Sequence, residues 1–179
     1  MANVVIKRRV AAHNVDALNR TVVYADGDIE NGAVFLLDGR STVDGEDEVW
    51  KVKQITDATT AMGVWMAKAS EVILTKVGTG DTAVEMLGVV EDPRNFVNVA
   101  GRVFSAFKPQ AGDIIEMTLG HDTNKYLIPQ NSQFNLTTNA SDNANGFAMH
   151  QVDTGILHIG SAGFVKTPVK TYIYEVVRN

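Results

Sequence analysis

The side chains able to do chemistry are few and scattered. His13, His121, His150 and His158 could supply a base or a metal ligand, but none forms H-x-x-x-H and their wide separation gives no compact metal or triad spacing. Ser161 lies in IGSAGF (159–164), where Ile159 occupies the position that a nucleophile elbow gives to glycine, so the strained strand-to-helix turn is not encoded. GTGDTA (78–83) fits G-x-G-x-x-[GA], yet the following AVEMLGVVEDP carries Gly88 and Pro93 where a dinucleotide fold needs a helix. That stretch predicts the return strand of a hairpin. No Gly-Lys-[Ser/Thr] occurs, which excludes a Walker phosphate loop. The absence of cysteine removes thiolate nucleophiles, disulfides and cysteine-based metal centres together.

Two further groups invite a binding reading. DGRSTVDGEDE (38–48) ends in four acidic side chains within 44–48, but lacks the ligand spacing of an EF-hand and predicts a solvated turn. Trp50 and Trp65 could stack on a sugar or a base if exposed, although their strand-like surroundings, VWKV and GVWMAK, favour core packing. The residues thus give no positive sign of catalysis. The expectation is a protein that is not an enzyme, with no catalytic residue, no cofactor and no metal site.

The elements that must position any site read as mostly β. A chain of 179 residues with 45% hydrophobic and 21% charged residues is of ordinary globular composition, large enough to bury about 70% of its unfolded surface without a staple. Asp-Gly, Asn-Gly and Gly-x-Gly turns punctuate short runs rich in Val, Ile, Phe, Tyr and Trp, which predicts strands at 33–38, 48–55, 61–67, 71–77, 83–90, 102–107, 113–119, 132–138, 155–160 and 170–177. In FKPQAGDIIEMT (107–118), Ile115 and Met117 alternate with Glu116 and Thr118, the period of a half-buried strand. The predicted fold is an antiparallel β-sandwich or barrel-like domain over 21–179, with one or two short helices at most. Asp92-Pro93 is a candidate helix start. Residues 1–20 read as an N-terminal arm that lies on the domain or is ordered by a partner, with an edge strand as the other possibility. NLTTNASDNANG (135–146) predicts a polar surface loop.

A formal charge of −5 disfavours a nucleic-acid partner, and Lys7, Arg8 and Arg9 are the local exception. No run approaches the 18 apolar residues of a membrane span, and the basic N-terminus lacks the pattern of a secretory signal, so the expected compartment is cytoplasm-like.

The short basic segment, NGAVFLL, the hairpin around VGTGD, NVAGRVFSAFKPQAGDIIEMT and the closing KTYIYEVV together resemble capsid decoration proteins of tailed bacteriophages, also called cement or head-stabilising proteins. The resemblance lies in segment order over most of 20–177. It implies a homo-oligomer, with a trimer favoured, on the outside of the capsid at junctions between major capsid subunits. Such a protein needs no catalytic group, because it stabilises the shell by binding the assembled lattice in preference to its free subunits. Lys7, Arg8 and Arg9 are the expected capsid contact, through charge pairing. The alternatives are a glycan- or receptor-binding β module of a virion fibre, which would expose Trp50 or Trp65, and a small hydrolase on a β scaffold.

Overall fold

A computed structural model of the chain describes residues 3–43, 45, 48–77, 84–89, 92–142, 145–159 and 167–179, with 72–77 and 84–89 as backbone. It is mostly β, with antiparallel sheets and a closed five-stranded barrel. Among the described residues helical structure is confined to three-residue 3-10 turns at Ala11–His13, Asp16–Leu18 and Pro93–Asn95. The last begins as the sequence predicts: the Asp92 side chain accepts from the Arg94 backbone N–H at 2.9 Å, with Pro93 behind it. No described helix is long and apolar enough to cross a membrane.

The strands are β1 (Val5–Arg9), β2 (Asn19–Val23), β3 (Ile29–Glu30), β4 (Val34–Arg40), β5 (Val49–Lys53), β6 (Trp65–Ala67), β7 (Val72–Val77), β8 (Val84–Val89), β9 (Val97–Asn98), β10 (Val103–Phe107), β11 (Ile114–Met117), β12 (Tyr126–Pro129), β13 (Leu136–Asn139), β14 (Ala148–Ile159) and β15 (Thr167–Arg178). The barrel runs β10-β2-β5-β4-β6 and closes on β10; every pairing is antiparallel except β2 with β5. A six-stranded antiparallel sheet, β1-β11-β15-β14-β12-β13, packs beside it. β3 with β9 and β7 with β8 form two-stranded ribbons.

Period-two alternation lets the barrel strands line two cores, one inside the barrel and one between it and the sheet. Phe35, Trp65, Ala67, Phe104 and Ala106 join Val22 and Val52 in the barrel core. Their alternating neighbours Val34, Met66 and Phe107 join Val5, Ile115, Met117, Met149 and Tyr174 in the core beneath the six-stranded sheet. All of β6 is therefore buried, because both its faces are covered. Gly32 lets the two layers meet: its φ is +85°, and a Cβ there would stand 2.8 Å from Met117 Cε and 3.0 Å from Val5 Cγ2.

Residues 5–9, expected within an arm, are the edge strand β1 of the six-stranded sheet, paired with β11. The segment after it is held down by side chains: Asp113 Oδ1 accepts from the Ala11 N–H at 2.9 Å, and Asn19 Nδ2 donates to Ala12 O at 2.7 Å. The antiparallel pairing of β7 with β8 matches the predicted hairpin, whose 78–83 connection lies outside the described residues. The acidic positions 44, 46 and 47 and the IGSAGF segment beyond Ile159 also lie outside them.

Candidate functional site

Lys7, Arg8 and Arg9 are adjacent in sequence but occupy three environments. The β1–β11 register shifts between Lys7 and Arg9, so Arg8 is the extra residue of a β-bulge, a device that re-aims a side chain. Arg8 Nε and Nη2 reach Glu116 Oε2 at 2.7 and 2.6 Å, and Thr171 Oγ1 donates to Glu116 Oε1 at 2.5 Å. Glu116 is 3% exposed, which corrects the simple alternation read from the sequence: it points away from Ile115 yet is still covered. Gly155 permits this closeness, since a Cβ there would stand 2.8 Å from Thr171 Oγ1 and 3.0 Å from Glu116 Oε1. Arg8 therefore has a structural task. Arg9 is exposed at the end of β1.

Lys7 faces the other way, into the seam between the sheet edge and the barrel. Its Nζ lies 5.1 Å from the centroid of the Phe107 ring. Arg20 on β2 and Lys68 after β6 line the same cleft of about 360 Å³, with Asn19, Thr21, Ser105 and Phe107. The strand ladder fixes this grouping, because Arg20 pairs with Ala106, Thr21 with Ser105 and Ala106 with Ala67, and Lys68 N donates to Ser105 O at 3.0 Å. Arg20 sits 5.8 Å from the Trp65 ring and donates from Nη1 to Asn19 O at 2.8 Å. Lys68 is paired with Glu71, which also accepts from Asn31 Nδ2 at 3.2 Å. Burial lowers the pKa of Lys7, and the Lys68 ammonium lowers it further.

A second feature is the outer part of the β14–β15 hairpin. Both strands run for 12 residues, but β12 pairs with β14 only at Met149 and His150, and β11 reaches β15 only as far as Tyr172. From Gly155 and Thr171 outward the two strands pair, among the described residues, only with each other, as a ribbon. A second bulge, with Val152 as its extra residue, lies just before this point. Five residues of strand, 155–159, span roughly 17 Å. The root is held by Thr171 on Glu116 and by an ion pair of Lys170 with Asp122. Along the ribbon Ile156 is 68% exposed and borders a shallow trough of about 660 Å³ lined by Thr154, Gly155, Pro168 and Lys170.

The other residues singled out in the sequence are placed apart. Trp65 is buried in the barrel core, and Trp50 packs against that core with Arg40 5.8 Å from its ring. His121 Nδ1 accepts from the Thr123 N–H at 3.2 Å in an exposed turn, His150 lies against Tyr126 with ring centroids 4.8 Å apart and planes inclined at 41°, and His13 and His158 are exposed on separate elements. Among the described residues no three His, Asp or Glu side chains are grouped to hold a metal. Arg20 and Lys68 went unnoticed in the sequence, since only the barrel ladder brings them beside Lys7. No protein-family model, curated protein or solved structure matches the chain.

Proposed function

We propose that this chain is a structural virion protein that binds the exterior of an assembled tailed-phage capsid and bridges major capsid subunits as a homo-oligomer, with a trimer favoured. One observation carries the reading: the outer part of the β14–β15 hairpin, a two-stranded ribbon, presents Ile156, which at 68% is the most exposed of the described large apolar side chains. An apolar side chain at the middle of such a ribbon suits insertion between neighbouring subunits. Several such ribbons on one oligomer raise the effective concentration of each contact, so modest interfaces hold a lattice together. Binding only the assembled lattice then stabilises it by mass action.

The test is cosedimentation with expanded empty capsids of the phage that carries this gene, with native mass spectrometry of the free protein. The wild type is expected to sediment with capsids and to appear as an oligomer. Ile156→Glu should abolish cosedimentation while leaving the thermal midpoint unchanged, since that side chain is already in water. A wild type that stays in the supernatant at saturating capsid would overturn the reading.

A further inference from the structure

The basic cleft at the seam calls for its own account, because assembling these charges costs stability. Lys7, Arg20 and Lys68 come from three different elements and line one cleft. Glu71 answers Lys68, and among the described residues no carboxylate pairs with Lys7 or Arg20. Two positive charges are thus left over in a protein of net charge −5. Burial disfavours a charged Lys7, which lowers its pKa, and repulsion by the Lys68 ammonium lowers it further. A purely structural cluster would gain by replacing Lys7 with an apolar side chain, which could still lie on Phe107.

The chemistry of the walls narrows the ligand. Phosphate sites are commonly built from converging backbone N–H groups, in a nest or at a helix N-terminus. Here the backbone is committed to strand pairing: Asn19, Arg20 and Thr21 with Phe107, Ala106 and Ser105, and the Lys68 N–H with Ser105 O. What faces the cleft is side chain: two ammonium groups, a guanidinium tethered to Asn19 O, and the hydroxyls of Thr21 and Ser105. No carboxylate is among the lining residues, and Glu71 beside the cleft already pairs with Lys68. A cleft of about 360 Å³ beside the open strand β1 has room for side chains carried on a peptide.

We propose that this cleft binds an acidic peptide segment, with Lys7 and Arg20 pairing its Asp or Glu carboxylates and Thr21 and Ser105 donating to them. The site is independent of the ribbon and of whether the partner is a capsid.

The experiment uses the soluble full chain carrying Trp50→Phe, so that Trp65, which lies beneath Arg20, reports alone. Titration with hexaglutamate should give a saturable fluorescence change that weakens as ionic strength rises, because exposed charges are screened over shorter distances. Lys7→Met should weaken binding about tenfold, the equivalent of one charge-assisted hydrogen bond. Lys7→Arg should restore most of the affinity, and neither variant should lower the thermal midpoint. In the complex the Lys7 side-chain pKa, followed by the NMR shift of its Cε, should rise. The proposal is overturned if hexaglutamate gives no saturable response, if Lys7→Met binds it as well as the parent, or if inorganic phosphate binds while the peptide does not.

Discussion

Three consecutive cations, Lys7, Arg8 and Arg9, would ordinarily be treated as one patch, and the structure separates them by a single inserted residue. Arg8 compensates Glu116, which is 3% exposed and keeps only the Thr171 hydroxyl if Arg8 is lost. A buried acceptor left short of partners costs about 1–3 kcal/mol, and half of the Arg8 side chain is in water, which places its loss toward the lower part of that range. Arg8→Ala is therefore expected to destabilise the protein, measured by urea denaturation, and adding Glu116→Gln should recover part of the loss. A triple alanine replacement of 7–9 would confound a contact with a structural ion pair. Arg9→Ala examines the exposed surface and Lys7→Met the cleft, each without removing the Arg8–Glu116 pair. The sequence displayed the triplet plainly; it could not display the bulge, because a register shift depends on the partner strand, here β11.

At the scale of elements, the long hairpin carries a bulge at Val152, close to where it passes from the sheet into a ribbon. Opposed residues share a face, so Ile156 is held on the side of its partner Lys170, and Gln151 and Asp153 already face the consecutive residues Tyr174 and Ile173. Deleting Val152 should therefore leave a regular ladder with Ile156 still opposite Lys170, while the bend and extra twist of the bulge are lost. Retained thermal stability with weakened capsid cosedimentation is the expected outcome, and unaltered attachment would remove the aim of the ribbon from the contact. The hydrophobic pattern foretold β4, β5, β7, β8, β10, β11 and β15, whose apolar runs are long or bounded by clear turns. It passed over β2, β3, β9 and β12 for physical reasons. NRTVV begins with polar residues, since Asn19, Arg20 and Thr21 line a cleft; β3 and β9 have two residues each; and YLIP ends on a proline beside a polar loop. The segment 135–146, expected as a polar surface loop, supplies the edge strand β13 at Leu136–Asn139, with Leu136 buried; the first half of β14, AMHQ, is mixed in polarity and gave no alternating signal.

For the molecule as a whole, stability depends on how firmly barrel and sheet are joined. β6 supplies Trp65 to one core and Met66 to the other, and Asn179 ties the end of β15 to the residue before β6. Its Oδ1 accepts from the Val64 N–H at 2.6 Å, and its Nδ2 donates to Val64 O and Pro109 O, both at 2.7 Å. Asn179→Ala removes these three bonds at partly buried backbone groups, for an expected loss of about 1–3 kcal/mol. Because both cores share β6, thermal unfolding of this variant should remain a single transition at a lower midpoint, which calorimetry would read directly. The mostly β class was legible in turn spacing alone. The joining of two layers through the two faces of β4, β6 and β10 was not, since a run such as VWMA is apolar whichever faces are covered.

The margin of the six-stranded sheet formed by β1 has a bearing on how copies of the protein behave when crowded. An exposed strand rim is where chains zip together into fibres, and this one is interrupted by the Arg8 bulge and ends on the exposed Arg9. Two identical rims brought side by side would meet a broken ladder and the like charge of Arg9, which together disfavour growth of an endless ribbon. A concentrated stock should stay clear and free of thioflavin-positive aggregates at low salt, leaving self-recognition to surfaces that can close upon themselves.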